Sequence, residues 1–168
     1  MKKILLTFIF YSLTATVIAQ YCSCISVTQN RNNGTEIKSG TIKSDDSYIL
    51  LIQKEINHSK LSVEPTYYLS LDATSRVAFS NSLTNNKGKI ELILKDKSKL
   101  VLENAKCIYN PVSSGFSVTF GATISKEQME ILLINPVATF SAFGILKTSF
   151  REKKQREQQI IVSCLLND

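Results

Sequence analysis

The chain has no tryptophan, a single histidine and only six glycines, none of them grouped, and each shortage removes a class of chemistry. Phosphate-cradling glycine loops are absent, so no nucleotide site is expected. With one imidazole, a Ser-His-Asp relay has only His58 to use. That residue falls in a turn signal, Asn57-His58-Ser59-Lys60, with no G-x-S-x-G motif in the chain, so it reads as a surface histidine. One histidine and no C-x2-C spacing leave no zinc set. Asp45-Asp46 lacks the glycine and distal glutamate of a calcium loop and reads as a cap. Missing tryptophan removes the usual sugar-stacking platform of glycosidases, and no acidic pair stands out for two-carboxylate hydrolysis. No cofactor and no metal are indicated.

Long apolar runs are also missing after the opening segment. Lys2-Lys3, the apolar stretch Ile4 to Phe10 and the ending Val17-Ile18-Ala19 have the form of a secretory signal peptide over 1–19, cut before Gln20. The apolar run is far shorter than the roughly 20 residues of a spanning helix, and Ser12, Thr14 and Thr16 interrupt it. Lipid attachment at Cys22 is disfavoured, because Ala19-Gln20-Tyr21 lacks the small residues such a signal carries. The product is therefore expected in the periplasm or outside the cell. Residues 20–47 read as a polar lead-in and 48–168 as one α+β domain. Without Lys2 and Lys3, 18 basic side chains face 14 acidic ones, a net charge of +4, which speaks for solubility and against nucleic acid as a partner. The sequons at Asn33 and Asn57 are chance matches in a chain rich in Asn, Ser and Thr.

Four cysteines, Cys22, Cys24, Cys107 and Cys164, imply disulfides in an exported protein, with three connectivities open. Cys107 with Cys164 is the expected pair, since each lies in a segment expected to be ordered. Cys22-Ser23-Cys24 reads as two structural thiols, because no lysine, arginine or histidine lies close in sequence to lower a thiol pKa.

Where apolar residues recur, their spacing sets the fold class. Phe116, Val118, Phe120, Ala122 and Ile124 alternate with Ser117, Thr119, Gly121 and Thr123, the period of a half-buried strand. Ser125 and Gln128 then make a capping box for a helix over about 126–134, ended by Asn135-Pro136. An apolar strand is expected from Val137 to Thr148. Upstream, Tyr48 to Ile56 fits strand or helix and is assigned as strand, and Leu61 to Asp72 alternates as a strand with Pro65 at a bulge or edge. Ile90 to Leu94 and Leu100 to Leu102 form a hairpin across Lys95–Lys99, and Asn110-Pro111 to Ser114 reads as a connection. The tail, about 150–166, is a helix with Ser149 and Glu152 as a second capping box, ion pairs Glu152–Arg156 and Lys153–Glu157, and an apolar stripe of Ile161, Cys164 and Leu165. The expected architecture is an antiparallel sheet of about five or six strands with both helices packed on one face.

One cluster invites a ligand. Lys147, Arg151, Lys153, Lys154 and Arg156 crowd the start of the last helix, where a helix N-terminus already favours anions. The patch would suit an acidic protein or an envelope polysaccharide, although Glu152 and Glu157 also allow it to be an ordinary solvated face. Scarce catalytic residue types favour an exported, non-catalytic binding or accessory domain. A periplasmic inhibitor or immunity-type protein that blocks one enzyme is the alternative, and a carboxylate-based hydrolase ranks after it.

Overall fold

A computed structural model describes residues 22–30, 34–46, 48–59, 64–75, 87–112 and 115–167. The signal segment 1–19 and the sequon residue Asn33 lie outside these described residues. Among the described residues nine strands form one antiparallel sheet: β1 Ser26–Asn30, β2 Thr35–Lys43, β3 Ile49–Asn57, β4 Thr66–Ser75, β5 Lys87–Leu94, β6 Lys99–Val112, β7 Gly115–Ile124, β8 Val137–Ala142 and β9 Leu146–Ser149. Their order across the sheet is β1-β2-β3-β4-β7-β6-β5-β8-β9. Helices α1 (Lys126–Ile134) and α2 (Glu152–Asn167) bring their buried residues to the same core, and Cys22–Cys24 forms a short 3-10 turn.

The fold is thus α+β with an antiparallel sheet and two helices, but with nine strands, not five or six. Two of the additional strands, β1 and β2, come from the polar stretch 20–47. Every residue of β1 is exposed, and β2 turns Glu36 and Lys38 to one face and Ile37 and Ser39 to the other, so no apolar alternation marks either strand. A further strand arises because Val137–Thr148 is not continuous. Phe143 (φ 56) and Gly144 (φ 70) both take left-handed backbone conformations, with the Ile145 N–H donating to the Ala142 carbonyl at 3.0 Å, which makes a tight hairpin turn. Asn110–Val112 likewise belongs to β6, pairing with β7 as far as Val112 opposite Gly115. Pro111 lies in the part of β6 beyond Lys106, where the described pairing with β5 ends, as suits a residue without an N–H. Pro65 immediately precedes β4.

Alternation places Ile42, Leu50, Ile52, Leu69, Leu71, Phe120, Ala122, Leu92 and Phe140 on one face, where α1 and α2 cover them. A bulge preserves this face in β6. Glu103 and Asn104 (φ 56) are both exposed, so Leu102 and Ala105 on either side both point inward. At Gly40 the last helix comes so close that a Cβ would lie 2.6 Å from Ile161 Cγ2. Gly88 gives similar room to the ring of Phe143, which in turn packs on Phe120 with centroids 5.4 Å apart.

The sheet curls around α2. Five strands separate β3 from β9 in the sheet order, which in a flat sheet would hold them about 29 Å apart at ~4.8 Å per strand. Yet the loop between β2 and β3 reaches β9. The Asp45 N–H donates to the Ser149 carbonyl at 3.4 Å, Thr148 Oγ1 donates to Asp46 Oδ2 at 2.6 Å, and Arg151 pairs with Asp45 at 3.4 Å. Helix α2 accordingly packs on β2 and β3 from one side and on β8 from the other.

Helix ends follow local chemistry in one case only. The Ser125–Gln128 capping box forms as expected, each residue's side chain satisfying the other's backbone N–H. The Ser149–Glu152 box does not, because Ser149 is the last residue of β9, paired with Thr139, and α2 starts at Glu152. Glutamines on α2 do the joining instead. Gln158 both accepts from the Val137 N–H at 2.9 Å and donates to the Val137 carbonyl at 3.1 Å. Gln159 donates to the Leu133 carbonyl at 2.8 Å, and Gln155 to that of Phe150 at 2.6 Å. These bonds satisfy backbone groups at the start of β8, at the end of α1 and just before α2.

Candidate functional site

The cysteines pair differently from the expectation. Cys164 is bonded to Cys22, not to Cys107, joining the 3-10 turn to the last turns of α2 across 142 residues of sequence. Cys107 is a buried thiol in β6, opposite Phe120 on the helix-covered face, and that burial raises its pKa. Cys24 remains an exposed thiol.

The basic residues do not make one patch. Lys147 lies on β9 opposite Ser141 and points to the uncovered face of the sheet, while the other four sit at the start of α2. Arg151 pairs with Asp45, Lys154 with Glu157 at 2.8 Å, and Arg156 with Glu152 at 3.7 Å. Glu157 thus takes Lys154 and not Lys153 as its partner. Local carboxylates answer three of the five cations, which reduces what this helix end offers to an anion.

Two other places bring polar groups together. At the β1–β2 end, Gln29, Asn30, Gly34, Thr35, Glu36 and His58 line a cavity of about 180 Å³. Gln29 donates to Glu36 at 3.2 Å and Lys38 pairs with it at 3.3 Å, so the Glu36 carboxyl is held below its ordinary range, with His58 adding a smaller pull. His58 therefore stands beside a carboxylate that sequence spacing gave no sign of, because cross-strand register brings them together. That carboxylate is committed as an ionised partner. The same is true elsewhere: hydrogen bonds from Lys99 and Lys89 lower Glu91, bonds from Ser98 and Asn135 lower Asp96, and the Ser125 hydroxyl lowers Glu127.

The second place is the face of the sheet opposite the helices. Register aligns three rows across it: Lys43, Ile49, Asp72, Thr119, Ile108; Thr41, Leu51, Ser70, Gly121, Lys106; and Ser39, Gln53, Tyr68, Thr123. No described helix covers these rows. Six of their fourteen members carry hydroxyls and one, Gln53, an amide, among the aliphatics Ile49, Leu51 and Ile108, and two lysines stand with one aspartate. Thr119 Oγ1 donates to Asp72 Oδ1 at 2.6 Å, fixing both rotamers in the first row. Gly121 leaves a dip in the middle row, where a Cβ would lie 3.2 Å from Ser70 Cβ. Beside it Tyr68 is half-buried, and burial, followed by the charge of Glu55, raises its pKa, so the phenol keeps its proton to donate. Further along, Glu91 is held between Lys89 at 3.0 Å and Lys99 at 2.8 Å. The sequence showed the outward residues of β4 and β7 but not that no described helix covers their face.

Among the described residues no group of three or more His, Cys, Asp or Glu side chains could hold a metal ion, and no helix is long and apolar enough to cross a membrane. The chain matches no family model, no curated protein and no solved structure.

Proposed function

We propose that the chain is an exported, non-catalytic binding domain whose uncovered sheet face takes a polysaccharide of the cell envelope. The observation that carries this reading is the surface of four hydroxyls and one amide formed by Gln53, Tyr68, Ser70, Thr119 and Thr123 on adjacent strands. Sugar hydroxyls are recognised by just such donor and acceptor groups fixed on a rigid sheet, and Gly121 leaves room for a ring edge to approach. An acidic protein is the less suitable partner, because the face carries Asp72, Glu55 and Glu91 beside its lysines. The disulfide between Cys22 and Cys164 fits an oxidising compartment and supports export.

The test is retention of the protein on immobilised envelope polysaccharide. Tyr68→Ala with Thr123→Val should weaken retention, whereas Lys153→Gln, Lys154→Gln and Arg156→Gln together should leave it almost unchanged. Loss with the second set and not the first would move the site to α2. Capture of one protein at fixed stoichiometry, with no polysaccharide retention, would replace this reading with the inhibitor one.

A further inference from the structure

We infer that β1 is a pairing edge through which two copies of the chain join as antiparallel strands, related by a two-fold axis at Thr28. β1 stands at one end of the sheet order, and every one of its residues is exposed. The phase of the neighbouring ladder shows which of its backbone groups are spare. The His58 N–H donates to the Gly34 carbonyl at 3.0 Å, and at the other end of β2 the Ser44 N–H donates to the Tyr48 carbonyl at 2.7 Å. These bonds flank the pairs Thr35–Asn57 and Lys43–Ile49, so the odd-numbered residues of β2 turn their own N–H and C=O away from β3 and toward β1. Ser39, Ile37 and Thr35 therefore bond Ser26, Thr28 and Asn30, which leaves the N–H and C=O of Val27 and Gln29 on the far side. Among the described residues no hydrogen bond takes up those groups.

Sheet edges are normally blunted by a lysine, a proline or a bulge. β1 has none of these: it reads Ser-Val-Thr-Gln-Asn and runs in unbroken register with β2. The opposite edge is treated differently, since β9 carries Lys147 and gives its Ser149 carbonyl to the Asp45 N–H. Core packing does not hold β1 in place either. Its start is fixed by the disulfide from Cys22 to Cys164 and by the Ile25 N–H on the Cys22 carbonyl at 3.0 Å, so the strand is ordered before any partner arrives.

The sequence of β1 selects a second copy as that partner. About Thr28, Val27 stands opposite Gln29 of the second copy and exchanges both backbone bonds with it, while Ser26 stands opposite Asn30 of the second copy. No other two-fold register joins the spare groups and also pairs the whole strand. Thr28 meets its own counterpart across the axis, in the closely spaced position where threonine pairs are favourable. β1 brings no charge to the joint. One strand further in, the row through Val27 begins at Lys38 and ends, past Gln29 of the second copy, at Glu36 of the second copy, so its two ends have opposite signs. The joined sheets set the two uncovered faces side by side, but the pairing does not depend on what those faces bind.

Sedimentation velocity of the disulfide-bonded protein, from micromolar to millimolar concentration, is the test. The unaltered chain should pass from monomer to dimer as concentration rises. Val27→Pro removes an N–H that β2 does not use and should raise the dimer dissociation constant by about tenfold or more. Thr28→Lys and Thr28→Glu alter an exposed side chain, and each should weaken self-association by about threefold, because like charges then meet on the axis. Mixed one to one, these two variants should dimerise more tightly than either does alone. Circular dichroism checks that each variant is folded, and the Thr28 pair decides the question even if Val27→Pro fails to fold. A chain that stays monomeric throughout, including one whose edge takes some other extended segment, overturns the proposal. So does a dimer that the Thr28 substitutions leave unweakened, or one that their mixing fails to restore.

Discussion

Replacing Gly40 by alanine probes the contact that bends the sheet around α2. The new Cβ would sit 2.6 Å from Cγ2 and 2.8 Å from Cγ1 and Cδ1 of Ile161, a side chain that is itself only 2% exposed and has no direction in which to yield. Overpacking of this kind costs ~1–3 kcal/mol. Against it stands the gain from removing glycine inside a strand, roughly 0.5–1 kcal/mol. The net expectation is a loss of about 1–2 kcal/mol, with steric crowding winning over entropy. Ile161→Ala alone should cost ~2–5 kcal/mol by leaving a cavity. In that background the clash is gone, so Gly40→Ala should now stabilise by roughly 0.5–1 kcal/mol. The sign of one substitution therefore reverses with the identity of a residue 121 positions away in sequence. Urea unfolding followed by far-ultraviolet circular dichroism measures all four corners of the cycle. Additive effects, within about 0.5 kcal/mol, would refute the close approach of β2 and α2.

Other perturbations test other joints. Cys22→Ser should destabilise by ~3–5 kcal/mol, because the closed loop spans 142 residues and its entropy returns to the unfolded chain, while Cys107→Ala should cost far less; thermal melts under oxidising conditions compare them. Gln158→Leu leaves the N–H and carbonyl of Val137 buried without their side-chain partner and should lose about 2–4 kcal/mol in urea unfolding, more than its gain in apolar volume returns. Glu36, Glu91, Asp96 and Glu127 all have folded pKa values below their ordinary ones. Their contribution is fully present above the ordinary carboxylate range and is lost as pH falls through the lowered values, so unfolding midpoints should drop below roughly pH 4.5 and stay flat from there to neutrality. Glu36→Gln with Glu91→Gln should make that acid-side drop shallower.

Much of the β4–β7–α1 region was legible because its signals are local. The alternation from Phe116 to Ile124 and the Ser125–Gln128 box need only a few neighbouring residues to be read, and both appear in place. The β5–β6 hairpin and the strand nature of Tyr48–Ile56 follow for the same reason. What failed depends on distant partners. β1 has no buried residue and is a strand only because β2 pairs with it. Phe143 does not look like a turn residue; it takes a left-handed backbone because Gly88, on a neighbouring strand, leaves space for its ring. Cys164 finds Cys22 through the packing of the 3-10 turn on α2, which no spacing reveals. Gln155, Gln158 and Gln159 carry no local signal that would single them out, yet they close off backbone groups inside the fold. The polar residues of the open face were visible one strand at a time, but their assembly into three rows across the sheet required the register.

Backbone amide shifts of the labelled protein, followed by nuclear magnetic resonance during titration with soluble envelope polysaccharide, test the proposed binding face most directly. Saturable changes should cluster on Gln53, Tyr68, Ser70, Thr119 and Thr123, across β3, β4 and β7. Changes confined to Lys153, Lys154 and Arg156 at the start of α2, or no changes at all, would contradict it.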